Sequence, residues 1–213
     1  MTQKASYIEQ LIAEGEHEHQ DFKYQISDAR KIARSISAFA NNSGGHLLVG
    51  VKDNGRIAGV KSDEEMFMVE QAATMYCQPE QQVKFELFEI ASKTVLKVDI
   101  AEAVRKPVQA PDENGSWKAY YRVADENVLA SSLHVKMLRH QVNGNAANPM
   151  IRFEKNEQLL LSYLENHGGI TISGYMKLVH ASRRVAENSI LNLLEMGVIQ
   201  LQYHNGLCLL VKN

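Results

Sequence analysis

An amphipathic helical segment runs directly into a short apolar segment near the start of the sequence, and this pair limits the folds open to the chain. Ser27 or Asp28 can cap the start of the helix. The apolar side chains on one helix face are Ile32, Ile36 and Phe39. Residues 42–45 (Asn-Ser-Gly-Gly) end the helix, and residues 46–51 (His-Leu-Leu-Val-Gly-Val) are suited to a buried strand.

Helix and strand patterns continue on both sides of this pair. Helices are predicted over residues 4–14, over a segment that is capped by Ser62 or Asp63 and ends at Cys77, and over residues 131–142. Strands are predicted over residues 19–25, 83–90, 94–100 and 117–123. The mixture of helices, strands and hairpins predicts an α+β fold, with a mixed sheet and flanking helices.

A small, polar segment without periodicity divides the chain at residues 143–149 (Asn-Gly-Asn-Ala-Ala-Asn-Pro). Beyond it, helical patterns at residues 154–166, 172–179 and 182–196 precede a hairpin of residues 198–203 and 207–211. Three helices and a two-stranded wing are the order of a winged helix-turn-helix. We therefore expect a first domain over residues 1–142, a linker over 143–150 and a winged helix-turn-helix domain over 151–213.

Composition and cysteine content restrict the class of protein. Hydrophobic residues make up 45% and charged residues 23% of the chain, as in ordinary soluble globular proteins. The sequence lacks an apolar run of about 18 residues, and residues 1–14 carry mixed charges, so we expect neither a membrane span nor a signal peptide. Cys77 and Cys208 stand far apart, without a Cys-x-x-Cys pair, which favours a reducing cytoplasm over a disulfide framework.

A series of short motifs extends through the first domain. In chain order they are Gly15-Glu16, Asp21-Phe22-Lys23, Ser37-Ala38-Phe39-Ala40-Asn41, Gly44-Gly45, Gly50-Val51-Lys52-Asp53, Lys106-Pro107 and Tyr120-Tyr121-Arg122-Val123. In order and spacing, these motifs resemble the Schlafen AlbA-like domain over roughly residues 10–135. The resemblance implies a nucleic-acid-binding domain, because members of that family are often described as binding nucleic acid.

The resemblance also gives three carboxylates a candidate catalytic role: Glu16, Asp21 and Asp53. In nuclease members of the family, carboxylates at the corresponding places cluster to cut tRNA or rRNA with a bound divalent metal. Clustered oxygen ligands suit Mg²⁺ or Mn²⁺. Asp21 departs from the family pattern, which usually has Glu there, and the Cys/His zinc group of the eukaryotic nucleases is missing. The alternative is that these acids are turn and cap residues on a solvated surface.

Basic residues of the first domain are candidates for contact with phosphates. The net charge of −2 neither supports nor excludes nucleic acid, because binding requires only a local basic face. Arg30 and Arg34 are four residues apart on the predicted helix, opposite its apolar stripe. The candidate phosphate-binding residues are Lys23, Arg30, Lys31, Arg34, Lys52, Lys106 and Arg122. The alternative is an ordinary solvated helix face.

Two further basic residues begin the predicted recognition helix of the winged helix. Arg183 and Arg184 lie at its N-terminal end, where side chains normally reach base edges and arginine can bind guanine with two hydrogen bonds. Many winged helices instead serve dimerisation or protein docking, and that alternative remains open from the sequence.

A bound nucleotide cofactor is not expected. Residues 45–52 approach the P-loop pattern, but Val51 separates the second glycine from Lys52, and neither Ser nor Thr follows that lysine. The intervening residues also have the character of a buried strand. A cofactor, Mg²⁺ or Mn²⁺, is expected only if the chain is a nuclease.

These patterns predict a cytoplasmic nucleic-acid-binding protein, with DNA-binding transcription regulation as the specific role and a homodimer as its assembly. The first alternative is a Schlafen-like, metal-dependent endoribonuclease that acts on structured RNA. The second is a protein-interaction scaffold. Convergence of Glu16, Asp21 and Asp53 in space would distinguish the enzyme from the other two.

Overall fold

The computed structural model describes residues 3–60, 63–142, 154–204 and 207–213, which divide into two compact units, Met1–Ala130 and Ser131–Asn213. The elements of the first unit are α1 (Gln3–Glu14), β1 (Gln20–Lys23), α2 (Ala29–Asn41), β2 (Gly45–Val49), α3 (Glu64–Met75), β3 (Val83–Ile90), β4 (Lys93–Ile100), β5 (Gln109–Pro111), β6 (Trp117–Val123) and β7 (Glu126–Leu129). The mixed α+β class predicted from the sequence is confirmed.

Two sheets form the strand layer of the first unit. The larger has the order β1-β2-β4-β3, in which β1 and β2 are parallel and the other pairs are antiparallel. The smaller is an antiparallel meander, β5-β6-β7. Helix α2 connects the two parallel strands, so the predicted mixed sheet with flanking helices is confirmed.

Helix α2 is the centre of this unit because it packs against both sheets. Its side chains Ile32, Ile36 and Phe39 share one buried core with Leu47 and Val98 of the larger sheet. The same core includes Val108, Ala110 and Tyr120 next to or within the smaller sheet. Ten of its thirteen residues are buried, and the three that are not buried are Arg30, Lys31 and Arg34.

The opposite face of the larger sheet is covered by α1. Ile8 of that helix packs with Phe22, Leu48, Phe88 and Val95 in a second core, and the strand alternation explains why these residues share a face. Apolar side chains on both faces make the larger sheet an internal layer, as its short apolar β2 predicts.

The described residues of the second unit form four helices and a hairpin: α4 (Ser132–Val142), α5 (Lys155–His167), α6 (Ile172–Leu178), α7 (Arg183–Glu195), β8 (Ile199–His204) and β9 (Leu207–Lys212). Leu160, Tyr175 and Ile190 from the last three helices form its core with Leu210 of the hairpin. Ile170, before α6, forms an additional bridge to β9.

The boundary between the units lies at Ala130–Ser131, earlier than the boundary at residue 142 that the sequence predicts. The reason is that Leu133 of α4 packs in the core of the second unit, so this helix belongs there. The predicted linker of residues 143–150 lies outside the described residues. In the described ranges, every helix is too short or too polar to cross a bilayer.

Candidate functional site

Two of the three predicted carboxylates, Glu16 and Asp21, lie together beside β1. The Asp21 side chain is 4% exposed, with the Lys23 ammonium 2.6 Å from its Oδ2 and the Arg122 guanidinium 3.8 Å from its Oδ1. The Phe22 amide donates a hydrogen bond of 2.8 Å to Glu16 Oε1. Burial is the main cause that raises the pKa of Glu16 above its ordinary value, and the neighbouring Asp21 carboxyl raises it further.

Asp53 is separate from this pair and lies exposed in the turn that follows β2. That turn is closed by hydrogen bonds from the Gly55 amide to the Lys52 carbonyl and from the Lys52 amide to the Arg56 carbonyl. Among the described residues, no group of three His, Cys, Asp or Glu side chains could hold a metal ion. The predicted carboxylates, as placed here, do not fit a Mg²⁺ or Mn²⁺ site, because two basic side chains already neutralise Asp21.

Arg122 lies in the interior instead of on the predicted phosphate-binding face. Its side chain is 1% exposed and packs 4.8 Å from the centre of the Phe39 ring. Its guanidinium donates hydrogen bonds to Asn127 Oδ1 and to the carbonyls of His17 and Gln20, at 3.0 to 3.2 Å. Burial lowers the pKa of Arg122, and Asp21 opposes that effect. The arginine therefore connects β6 to the residues around β1.

Lys106 and Lys23 are also engaged within the fold. The Lys106 side chain is 8% exposed and donates hydrogen bonds to Glu102 Oε1 at 2.7 Å and to the Asn42 carbonyl at 3.1 Å. Lys23 donates to the Phe22 carbonyl at 2.9 Å, in addition to its ion pair with Asp21. A phosphate would have to displace these intramolecular partners, so neither lysine is an available anion site in this arrangement.

The remaining basic candidates of this unit share one end of the fold. Because β1 and β2 are parallel, their C-terminal ends lie at the same edge of the sheet, and α2 starts at that edge. Lys52 follows β2 there, with its ammonium 4.8 Å from the centre of the Tyr24 ring. Arg30 in the first turn of α2 lies 5.6 Å from the Tyr76 ring. Lys31 is exposed and makes no ion pair in the described part of the chain.

Arg34, one turn further along α2, is held by contacts within the fold, unlike the exposed Lys31. Its Nε donates to the Pro111 carbonyl at 3.0 Å, and its guanidinium is 3.9 Å from the exposed Glu113 carboxylate. Asp28 is a carboxylate at the helix start itself, and its side chain caps α2 by accepting from the Arg30 amide. The carboxylates of Glu113 and Asp28 reduce the local positive charge, but in the described ranges neither forms an ion pair with Arg30 or Lys31.

A further basic residue at the same end, Lys118 of β6, was not predicted from the sequence. The Tyr120 amide donates to Ser37 Oγ at 3.2 Å, and the Arg122 amide donates to Asn42 Oδ1 at 3.1 Å, so β6 and α2 run in the same direction. Lys118 is exposed, two residues before Tyr120, and therefore lies beside the first turns of α2. We call Arg30, Lys31, Arg34, Lys52 and Lys118 the basic edge.

In the second unit, Arg183 and Arg184 begin α7 as predicted, but only one of them is unengaged. Arg183 lies 2.8 Å from the buried Glu187 carboxylate and donates to Ser132 Oγ at 2.9 Å. Lys136 also pairs with Glu187. Burial opposes ionisation of Glu187, yet its two basic neighbours lower its pKa below the ordinary value. Arg184 is exposed and, within the described ranges, makes no ion pair.

A family model described as Schlafen, AlbA_2 matches residues 16–131, which include β1 to β7 and the whole basic edge. The chain belongs to the Schlafen AlbA_2 family. The resemblance seen in the sequence is thereby confirmed, and membership supports a function related to nucleic acid. No curated relative matches the chain.

Two solved structures are similar to this Schlafen AlbA_2 chain, each over 62% of its length. The DIP2311 protein from Corynebacterium diphtheriae has 22% identity and a TM-score of 0.43, and the match spans 27% of that longer chain. The N-terminal domain of an ATP-dependent DNA helicase RecG-related protein from Nitrosomonas europaea has 23% identity and a TM-score of 0.44, with 97% of its length covered.

A half-buried histidine, His46, is expected to make the stability of the Schlafen AlbA_2 domain depend on pH. Gln20 Nε2 donates to the Leu11 and Gly15 carbonyls, so Gln20 Oε1 is the acceptor for His46 Nε2 at 2.7 Å. Burial, together with the nearby Lys97 ammonium, lowers the pKa of His46 from 6.5 to about 4. The unfolded chain therefore binds a proton more readily than the folded chain between these two values.

We expect the first unit to lose stability as the pH falls from 6.5 to 4, by at most about 3 kcal/mol from this group. The contribution of His46 to stability is fully present above pH 6.5, because the imidazole is then neutral in both the folded and the unfolded chain. In His46→Gln the amide can still donate to Gln20, so urea unfolding should show a flatter pH dependence than in the wild type. Parallel stability curves for the two proteins between pH 4 and 6.5 would contradict this assignment.

Proposed function

We propose that this protein binds nucleic acid and that its basic edge contacts the phosphate backbone. The observation that carries the proposal is the composition of α2: the three residues of this helix that are not buried are all basic, namely Arg30, Lys31 and Arg34. An ordinary solvated helix face carries both signs of charge. Lys52 and Lys118 extend the same positive surface from neighbouring elements.

The chemistry of such a surface suits a polyanion. Each lysine or arginine that neutralises a phosphate releases condensed counterions, so several weak contacts add up to useful affinity at moderate salt. Family membership supports the same ligand class. The overall charge of −2 is no obstacle, because binding requires only a local basic surface, and the five cations of the basic edge lie at one end of the first unit.

The second unit supports a more specific part of the proposal, a winged helix-turn-helix that contributes to a DNA-binding transcriptional regulator. Helices α5, α6 and α7 followed by the β8–β9 hairpin have the element order of that motif. Arg184 at the start of α7 is exposed, as a residue that reaches a DNA groove must be. A cytoplasmic homodimer would double both sets of contacts, which is the usual arrangement for such regulators.

We do not extend the proposal to RNA cleavage. A metal-dependent nuclease requires carboxylate oxygens that are free to bind the ion. Here Lys23 and Arg122 neutralise Asp21, and Glu16 accepts the Phe22 amide. The arrangement of these groups supports a role in joining β1 to β6. A protein-interaction scaffold remains the alternative that a binding experiment must distinguish.

The double variant Arg30→Glu/Lys31→Glu should weaken nucleic-acid binding by about 10- to 100-fold at moderate salt. The slope of log affinity against log salt should also fall by about 2, because two phosphate contacts are removed. Fluorescence anisotropy with labelled DNA and RNA across a salt series measures both quantities. Both residues are exposed, so the loss of stability should be below about 1 kcal/mol.

The matched control is Lys84→Glu/Arg105→Glu, which changes the net charge equally. Lys84 lies on β3, and Arg105 follows β4, at the opposite end of the sheet from the basic edge. Both residues are exposed. If the control weakens binding as much as the basic-edge variant, the protein responds only to net charge. If the wild type binds neither DNA nor RNA, the proposed function is wrong.

A further inference from the structure

Two tyrosine rings lie beside the basic edge, and each is paired with one of its cations. Tyr24 directly follows β1, and its side chain is among the exposed large hydrophobic groups at 42% exposure. The Lys52 ammonium lies 4.8 Å from the centre of that ring. Tyr76 follows the C-terminus of α3 and is half-buried, with the Arg30 guanidinium 5.6 Å from its ring centre.

The two pairs are at the same end of the first unit. Tyr24 lies between β1 and α2, and Lys52 lies just beyond β2, so this pair marks the edge where the parallel strands end. Arg30 belongs to the first turn of α2, which begins at that edge, and it holds Tyr76 close to the helix start. Both ring–cation pairs therefore lie at the end of the first unit where the parallel strands finish and α2 begins.

We propose that the basic edge binds single-stranded nucleic acid, with unpaired bases stacking on Tyr24 and Tyr76 while the cations contact the intervening phosphates. This inference rests on the proposed function and adds the strand state of the ligand. An aromatic ring offers a flat apolar face that any base can cover, and each such stack contributes about 1–3 kcal/mol.

A duplex cannot use these rings in the same way. Its bases are stacked on each other, so their faces are not accessible to a protein side chain without separation of the strands. A duplex would contact only the cations of the basic edge. The tyrosines therefore confer a preference for unpaired strands, whereas Arg30, Lys31 and Lys52 confer attraction to either form.

The structure also offers an internal comparison. Tyr7 on α1 is 43% exposed and lies 5.9 Å from the Lys97 ammonium, so it matches Tyr24 in residue type, exposure and cationic neighbour. Tyr7 packs against Phe88 on the face of the sheet that α1 covers, opposite the face on which α2 packs. Tyr7→Leu is consequently a matched control for loss of an exposed, cation-paired ring.

The test measures affinities of the full chain for oligo(dT) and oligo(U) of about 12 nucleotides and for a hairpin duplex with the same number of phosphates. We expect the wild type to prefer the single strands. Tyr24→Leu/Tyr76→Leu should weaken single-strand binding about 25- to 2,500-fold and leave hairpin affinity and the salt slope unchanged. Tyr24→Phe/Tyr76→Phe keeps both rings and should bind like the wild type, as should Tyr7→Leu.

Tyr24→Leu alone keeps the test valid if the change at the half-buried Tyr76 impairs folding, because Tyr24 is exposed. Its single-strand affinity should fall about 5- to 50-fold. Equal affinity of the wild type for single strands and hairpin, or equal losses for both ligands in the leucine variants, overturns the strand-state inference and leaves the proposed function standing. Failure to bind any of the three probes overturns both.

Discussion

Replacing Arg122 by methionine should lower the free energy of unfolding of the first unit by about 3–5 kcal/mol. Methionine fills a similar volume, but the carbonyls of His17 and Gln20 and the Asn127 amide oxygen lose their donor. Asp21 also loses one of its two basic neighbours while it stays buried. Urea unfolding followed by circular dichroism measures the loss, and Arg105→Met is the matched change at an exposed arginine.

A double-mutant cycle separates the charge from the hydrogen bonds. Asp21→Asn removes the buried carboxylate that Arg122 neutralises, so Asp21→Asn/Arg122→Met should be less destabilised than the sum of the single changes. If Arg122→Met is as stable as the wild type but no longer binds nucleic acid, Arg122 is a ligand contact after all, and its interior position here does not represent the binding state.

Replacing Asn41 by alanine should have a comparable effect, a loss of about 3–5 kcal/mol from the first unit. The Asn41 amide donates to the carbonyls of Val108 and Tyr120 at 2.8 and 2.7 Å and accepts from the Val108 amide at 2.7 Å. All of these groups are buried, and alanine would leave the Val108 amide and the Tyr120 carbonyl without these partners, while the Val108 carbonyl keeps the Ser37 hydroxyl. Asn114→Ala, at an exposed turn, should change stability by no more than about 0.5 kcal/mol.

Nucleic-acid binding provides a second measurement for this variant. At a temperature where Asn41→Ala is still folded, its affinity should equal that of the wild type, because Asn41 lies within the core and not on the basic edge. A full loss of binding in a folded Asn41→Ala protein would show that the α2 motif contacts the ligand directly. A stability unchanged from the wild type would show that water replaces the three hydrogen bonds.

The sequence predicted α2 well because its apolar residues recur at helical spacing and Asp28 stands at its start. Periodicity does not indicate what the small polar residues of the helix bind. Ser37 and Asn41 are part of the motif that carries the family resemblance, yet their partners lie in a sheet formed much later in the chain. Tertiary hydrogen bonds of this kind are invisible to a local pattern.

The two missed strands, β5 and β7, have a similar explanation. β5 has three residues and ends at Pro111, which is too short for an alternation to be recognised. β7 is joined to β6 by the two residues Ala124 and Asp125, and Ala124 adopts a positive φ of 53°. The turn lacks the Asn-Gly or Asp-Gly pair that usually signals a two-residue hairpin, so the hairpin was not predicted.

The surface position expected for the candidate phosphate-binding residues was predicted correctly for only some of them. Arg30, Lys31 and Lys52 lie on an accessible surface because helix and turn positions determine their exposure locally. Arg122 and Lys106 are enclosed by elements distant in sequence, so their charge suggested a surface position that tertiary packing does not provide. The proposal of a single-stranded ligand could not be made from the sequence, because the distances that pair Tyr24 and Tyr76 with cations arise only in the folded unit.

The burial of α2 has an evolutionary consequence. Ten of its positions are buried within the first unit, and the other three belong to the proposed phosphate-binding surface. Substitutions in α2 that leave the fold intact are therefore confined to these three positions, where a substitution would alter recognition. A descendant could exchange one polyanion for another, or abandon nucleic acid for a protein partner, through changes at Arg30, Lys31 and Arg34 alone. We expect libraries randomised at these three positions to remain folded while their ligand preferences diverge.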